Sequence, residues 1–283
     1  MNVGISWAGR SIDIEYRWTD ATEESSPLPA TRWAPSPAPI MVFLHEGLGS
    51  VSMWRDFPDQ LCRTLGLRGL VYSRPGYGNS TPRPGNERWQ PDFMHRQAFE
   101  VLPAFLQALG VAPSDQPIYL FGHSDGGSIS LLYAARQSQS LAGIVVAAPH
   151  IMVEDITVEN IQKAREAYLA TDLKQRLGRH HRQPDSAFWG WNDIWLDARF
   201  RAWSIESELD AITCPVLAIQ GENDEYGTMA QIDGIAARVS QARLHKIAQC
   251  GHSPHKDQPQ EVISAVEKFL AHTAGPNSSS ATA

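Results

Sequence analysis

The sequence predicts an α/β fold, a mostly parallel central sheet flanked by helices and interrupted by one helical insertion. Three observations predict it. Short, continuous apolar runs of the kind buried on both faces of a parallel sheet (40–44, 69–72, 116–121, 141–147 and 214–219) alternate with stretches of helical period. At Leu120-Phe121-Gly122-His123-Ser124-Asp125-Gly126-Gly127 an apolar run stops, glycines appear and a helical pattern begins. The alternation then fails over residues 150–208 and resumes at Cys214.

In chain order, 3–7 and 12–18 alternate in polarity about Gly9-Arg10, which predicts an antiparallel hairpin. Residues 20–39, rich in Ser, Pro and Thr, predict a surface loop. The strand at 40–44 ends in His45-Glu46-Gly47-Leu48-Gly49-Ser50, and the strand at 69–72 runs into Ser73-Arg74-Pro75-Gly76-Tyr77-Gly78-Asn79-Ser80. Asp92 is placed to cap a helix through Phe93, Phe99, Leu102, Phe105 and Leu109, with a kink at Pro103. Further helices are predicted at 128–135, at 161–177 within the insertion, and at 232–239 and 262–270 around a last strand at 244–247. The expected organisation is a core of 1–149 and 209–274, a helical cap of 150–208 and a disordered tail of 275–283.

Composition narrows the partners. A formal net charge of -7 over 283 residues offers no basic surface for nucleic acid or anionic lipid, so a small-molecule substrate is expected. No run of about 18 apolar residues occurs, and the amino-terminal residues lack a leader pattern, so no membrane association and a cytoplasmic location are expected. Cys62, Cys214 and Cys250 are odd in number and far apart, and read as reduced thiols rather than a disulfide or thiolate metal site. His180-His181 are adjacent, diverge and are expected in solvent, while His252-x-x-His255 lacks a third ligand. With no phosphate loop or dinucleotide fingerprint either, no metal and no cofactor are expected.

The run Gly122-x-Ser124-x-Gly126 between strand and helix is a nucleophile elbow. A hydroxyl is protonated at neutral pH, so its attack requires a base, and the base requires an orienting group. Asp224, after the resumed strand, and His252, after the last, supply both at strand ends. Glu222 and Glu225 share the acid's loop, but the strand-end spacing favours Asp224.

These motifs make the chain resemble the α/β hydrolases, in the capped esterase and carbon–carbon bond hydrolase group, over most of its length. His45-Glu46-Gly47-Leu48-Gly49 resembles the oxyanion loop of that family, and residues 74–80 its strand-to-loop signature. The resemblance implies that Ser124 is the nucleophile, His252 the general base and then acid, and Asp224 the carboxylate that orients it. It also implies an oxyanion hole from the backbone amides of Asp125 and Gly47. Leu48 is the alternative to Gly47, because Glu46 stands where relatives carry glycine. Asp125 stands where relatives often carry Met or Gln, and its carboxylate is expected in a polar network behind the turn.

Trp189, Trp191, Trp195 and Trp203 concentrate in the insertion, which is too small to bury every ring within itself. Trp191 and Trp195, four apart on one helix face, are assigned to the substrate pocket together with His45 and His150. The expected activity is that of a serine hydrolase cleaving a small carboxylic ester through an acyl-enzyme, with an apolar or aromatic group in the pocket. Carbon–carbon cleavage of a vinylogous diketone, lactone or amide hydrolysis, and ligand reception with slow turnover are the alternatives.

Overall fold

A computed structural model describes residues 1–19 and 38–273. The expected tail at 275–283 and all but the last two residues of the expected loop at 20–39 lie outside the described residues.

Strands β1 (Asn2–Trp7) and β2 (Arg10–Thr19) form the predicted hairpin. Its turn is Ala8-Gly9, both at positive φ, one residue earlier than Gly9-Arg10. That pair of left-handed residues matches the twist of the two strands. Strands β3 (Ile40–Leu44), β4 (Arg68–Tyr72), β5 (Ile118–His123), β6 (Gly143–Ala147), β7 (Val216–Gly221) and β8 (Ala242–Ile247) complete one eight-stranded sheet of order β1-β2-β4-β3-β5-β6-β7-β8. Both pairings of β2 are antiparallel and all the others are parallel. Strands β3, β5, β6 and β7 are buried at every position.

Period-two alternation sorts these strands into two cores. Met41, Phe43, Val71, Phe121, Val145 and Ile219 face one layer, with helices α1 (Phe57–Leu65) and, from later in the chain, α10 (Pro254–Asp257) and α11 (Pro259–Thr273). There Phe121 sits among Phe43, Trp54 and Phe57 with ring centroids 5.5 to 5.8 Å away. Ile40, Val42, Leu120, Ile144, Val146 and Val216 face the other layer. It holds α2 (Phe93–Arg96), α3 (Leu102–Ala108), α4 (Asp125–Gln137) and α9 (Ala230–Arg238). The helix expected to kink at Pro103 instead passes through a π turn, Gln97–Val101, and Pro103 opens α3. A proline tolerates a first helical turn, where no donor is required of it, and the wider π turn accommodates the change.

Between β6 and β7 the chain builds α5 (Asp155–Ala170), α6 (Leu173–Leu177), α7 (Pro184–Trp195) and α8 (Glu206–Leu209). The single helix expected at 161–177 is broken at Thr171, which is extended. Its hydroxyl donates to the Ala167 carbonyl and accepts from the Leu173 amide, closing one helix and opening the next. The insertion has an aromatic core of its own, with Tyr168 stacked on Phe188 at 3.7 Å and Phe200 against Trp195 and Trp203 at 5.1 Å each. Phe93 reaches Phe200 at 5.7 Å and joins this core to the main one.

The glycines at the β5–α4 junction set how closely these layers meet. A methyl on Gly126 would overlap the Leu44 carbonyl, and one on Gly122 would overlap the Gly126 carbonyl. Both obstacles are backbone, which has little room to yield. Gly126→Ala is therefore expected to destabilise by at least about 1–3 kcal/mol, a fall in Tm of about 3 to 10 °C for a chain of this size. Gly85→Ala, whose added methyl meets nothing within 4 Å, should shift Tm far less in the same thermal melts.

Candidate active site

The loops at the carboxyl ends of β3, β5, β6, β7 and β8 converge on one point. Immediately after β5, Ser124 takes φ 53° and ψ -120°, a conformation that costs a non-glycine residue about 1 to 3 kcal/mol. It is held there from both sides, by its amide donating to the Ala147 carbonyl at 2.9 Å and by the glycine contacts that admit α4 so close. The hydroxyl consequently stands clear of the helix, 3.0 Å from Nε2 of His252.

The other imidazole nitrogen of His252, Nδ1, lies 2.8 Å from Oδ1 of Asp224. The carboxylate accepts in addition from the amides of Tyr226 (2.8 Å) and Gly227 (3.3 Å) and from the Gln220 side chain (3.1 Å). Burial works to raise the Asp224 pKa, but the hydrogen bond and charge of His252 and the Tyr226 amide override it and hold the group below the ordinary carboxylate range. An acid so placed remains ionised and keeps the proton of His252 on Nδ1, leaving Nε2 to accept from Ser124. Of its two neighbours, Glu222 is exposed, and Glu225 accepts from the His252 amide at 3.2 Å rather than from the ring.

Asp125 is 1% exposed, and its carboxylate is engaged by Arg74 Nη2 at 3.3 Å and by the indole N–H of Trp195 at 3.2 Å. Burial pushes its pKa up against the pull of Arg74 and Trp195. Its amide begins α4, at the positive end of the helix dipole, adjacent to Ser124. Gly47 and Leu48 both border the same small cavity of about 120 Å³ as Ser124 and His252. His150, Trp191 and Trp195, three of the four side chains that the sequence assigned to a pocket, border it too, with Tyr226, Thr157 and Ile161 as residues that pattern reading did not find. The Thr157 hydroxyl donates to the Tyr226 carbonyl at 2.5 Å, which ties α5 to the loop after β7.

His150 has two roles. Its backbone is pinned by the Ser128 hydroxyl, at 3.1 Å to the amide and 2.6 Å to the carbonyl, and its ring packs edge-on to Trp195 at 4.9 Å. Burial, reinforced by His252, pushes its pKa down to about 3, so the ring is neutral at working pH.

His45 does not belong to the pocket, contrary to expectation. It is fully enclosed, donating from Nδ1 to the Glu46 carbonyl at 2.7 Å and accepting at Nε2 from the Arg74 amide at 2.9 Å. Both ring nitrogens are consumed in bracing the loop, and burial with the nearby Arg74 charge keeps the ring neutral. His181, expected in solvent, is likewise buried. It accepts from the Gly78 amide and donates to the Leu48 carbonyl, each at 2.9 Å, so burial leaves neither nitrogen unsatisfied. Burial brings its pKa down to about 4.

Glu46 sends its side chain between two loops. It meets Lys256 at 3.1 Å and lies 3.5 Å from Nδ1 of His123, whose Nε2 donates to the His252 carbonyl at 2.7 Å. Lys256–Glu46–His123 therefore runs from the loop after β8, through the loop after β3, to the backbone of His252. Among the described residues, no three His, Cys, Asp or Glu side chains converge as ligands for a metal ion.

A parallel α/β sheet that gathers a strained serine, an imidazole and a carboxylate at its carboxyl edge has the architecture of an α/β hydrolase. Residues 41–265 match the profile of the alpha/beta hydrolase family, and the chain belongs to that family. It is 23% identical over 263 residues to the sn-1-specific diacylglycerol lipase ABHD11 of Mus musculus, covering 82% of this chain and 81% of that one. Similarity to 2-succinyl-6-hydroxy-2,4-cyclohexadiene-1-carboxylate synthase of Klebsiella pneumoniae is 24% over 257 residues, 82% of this chain and 94% of the relative. Among solved structures, proline iminopeptidase of Mycobacterium smegmatis superimposes with a TM-score of 0.71 at 19% identity, covering 97% and 99% of the two chains.

The Glu46 carboxylate carries a pH signature. Burial acts to raise its pKa, but Lys256, and after it His123, hold it well below the ordinary value. A depressed carboxylate contributes stability that is present above its unfolded pKa, about 4.3 for Glu, and is lost as pH falls through the folded value. Lys256→Met should therefore lower Tm at pH 7 and flatten the loss of Tm below about pH 4.3. Wild-type and variant curves that stay parallel from pH 7 to pH 3 would remove this role for the pair.

Proposed function

We propose that this protein is a serine hydrolase that cleaves a small, uncharged carboxylic ester through an acyl-enzyme. The observation that carries the reading is the continuous hydrogen-bonded line from Ser124 Oγ through both nitrogens of His252 to Asp224. Along it the Ser124 proton passes to Nε2 as Oγ attacks the ester carbonyl, and Asp224 stabilises the imidazolium that results. The amide of Asp125 and that of Gly47 or Leu48 receive the oxyanion. His252 then gives its proton to the departing alkoxide and takes another from water as that water attacks the acyl carbon; the Ser124 Oγ–acyl bond breaks, the acid leaves, and His252 returns the proton to Oγ.

Residues 150–208 serve as the cap over this site, contributing Trp191 and Trp195 to its wall. Three free, buried cysteines suit a reducing compartment, which we take to be the cytoplasm. No helix among the described residues is long and apolar enough to cross a membrane.

The relatives named above include a lipase, a synthase and an iminopeptidase, so the substrate has to be argued from the site. Two features of the cavity support a small neutral ester. At about 120 Å³ it falls below the range of about 300–1,000 Å³ typical of drug-sized ligands. Among the described residues its wall includes Glu46 and Asp125 but no Lys or Arg, and the cations nearest to these acids are already engaged, Lys256 with Glu46 and Arg74 with Asp125. A substrate carboxylate would enter without a partner, at a heavy desolvation cost. Hydrolysis of a carboxylated diketone is disfavoured on the same ground, while a small neutral lactone remains within the reading.

Three measurements test it. A fluorophosphonate probe should label the protein once, at Ser124, as located by mass spectrometry; labelling elsewhere or none would remove the serine-hydrolase reading. Asp224→Asn should lower kcat by about 10⁴-fold on a short p-nitrophenyl ester, whereas Glu222→Gln and Glu225→Gln should change it little. In a pH-stat assay methyl butyrate should exceed monomethyl succinate, its anionic counterpart of equal length, by at least about tenfold in kcat/KM. A preference for the succinate would reverse the assignment of substrate charge while leaving the nucleophile in place.

A further inference from the structure

The two pocket tryptophans of α7 differ in what their N–H groups do. Trp195 is spent on the structure, donating to Asp125 at 3.2 Å. Trp191 has no hydrogen-bond partner among the described residues, and its Nε1 is not one of the enclosed unpaired polar atoms, which do include Nε1 of Trp54 and of Trp203. The ring borders the cavity, and its Nε1–Cδ1 edge lies against Gly47, where an added methyl would overlap both atoms. Gly47 thus has two reasons to lack a side chain, its place on the oxyanion loop and the seat it gives this indole. An indole N–H is a donor only, and one left unpaired in a mostly apolar cavity calls for an acceptor.

We propose that Trp191 is a catalytic residue, its indole N–H being a donor supplied from the cap to the substrate carbonyl oxygen as that oxygen becomes an oxyanion. The inference rests on the serine-hydrolase reading and extends it. In the attack step, the Ser124 Oγ–H proton passes to His252 Nε2, one bond forms between Oγ and the carbonyl carbon, and the carbonyl π pair moves onto oxygen. That oxygen then carries a full negative charge. Two backbone amides from the core receive it, and Trp191 adds a neutral third donor. Because α7 belongs to the insertion, the hole is complete only when the cap is seated on the core.

The test replaces Trp191 by 3-benzothienylalanine through site-specific incorporation, which keeps the bicyclic shape and exchanges N–H for sulfur. The same replacement at Trp189 is the control, since that ring packs against Tyr168 and Phe188 away from Ser124. The readout is the rate of fluorophosphonate labelling at Ser124, whose phosphoryl oxygen occupies the oxyanion hole, beside kcat/KM for p-nitrophenyl acetate. Removal of one oxyanion donor typically costs about 10²–10³ in kcat, and with two donors remaining both rates should fall at least about tenfold, Tm being unchanged. Affinity for a trifluoromethyl ketone, whose Ser124 adduct bears the oxyanion, should weaken in step. Trp191→Phe, which also lacks the N–H, should repeat the loss if the sulfur analogue folds poorly. Rates within twofold of wild type for the sulfur analogue would make Trp191 a packing residue only and overturn the proposal. A wild-type protein that is not labelled at Ser124 at all would instead sink the hydrolase reading, and this inference with it.

Discussion

The site depends on one close approach, the backbone of Gly126 against the carbonyl of Leu44. Because no side chain intervenes, α4 can begin directly over the end of β3, and the turn between β5 and α4 must then pass through Ser124 at φ 53°. The strain of about 1 to 3 kcal/mol stored there is held by a sheet whose neighbouring strands are buried at every position. Three things follow from the same contact. The hydroxyl is raised out of the helix, the first amide of α4 is left without an intrahelical acceptor, and the loop after β3 is brought alongside that amide.

That loop is braced from several elements at once. Inside, the ring of His45 spans the Glu46 carbonyl and the Arg74 amide. From the insertion, His181 holds the Leu48 carbonyl, and from the loop after β8, Lys256 holds the Glu46 carboxylate. Arg74 reaches the Glu46 carbonyl at 2.9 Å, and the same nitrogen meets Asp125. Beyond the stability it contributes, the partly exposed Lys256–Glu46 pair acts with these hydrogen bonds on the geometry of the site. Their effect here is positional, since each restricts a segment that carries an amide or an imidazole of the site.

Much of this was legible in the sequence wherever structure is periodic. Uninterrupted apolar runs mark strands buried on both faces, and where each run stops, a strand's carboxyl end lies. Those strand ends, with the Gly122-x-Ser124-x-Gly126 run and the order of serine, acid and histidine, are what point to Ser124, Asp224 and His252. Loop interiors have no period, and there the reading failed in identifiable ways. Whether His45 faces the cavity or the loop behind it depends on the Arg74 amide, 29 positions away in the chain. The burial of His181 depends on Gly78 and Leu48, and the partners that engage Asp125 lie 51 and 70 positions from it. The break at Thr171 and the π turn before Pro103 are local, but they arise from competition for backbone groups that hydrophobic spacing does not encode.

The charges around the cavity are arranged so that chemistry, not the resting structure, sets its field. Asp125 lies beside Ser124, the nucleophile of the proposed reaction, and, unpaired, would repel a growing oxyanion; Arg74 and Trp195 engage it behind the turn. Glu46 is balanced by Lys256, and His150, with a pKa near 3, carries no charge to compete with that of His252. In the proposed reaction, with both acids paired and the second imidazole neutral, the two charges created as Ser124 attacks are an oxyanion and an imidazolium. The imidazolium is met by Asp224, an ion already in place. Apart from the already paired carboxylates of Glu46 and Asp125 in the wall, the oxyanion of the proposed reaction would face dipoles, namely the amino end of α4, the amide of the loop after β3 and, in the arrangement proposed above, the indole of Trp191. Fixed dipoles pointed at a charge that does not yet exist require little rearrangement when it forms, and in a small, mostly apolar cavity they act with little screening by water.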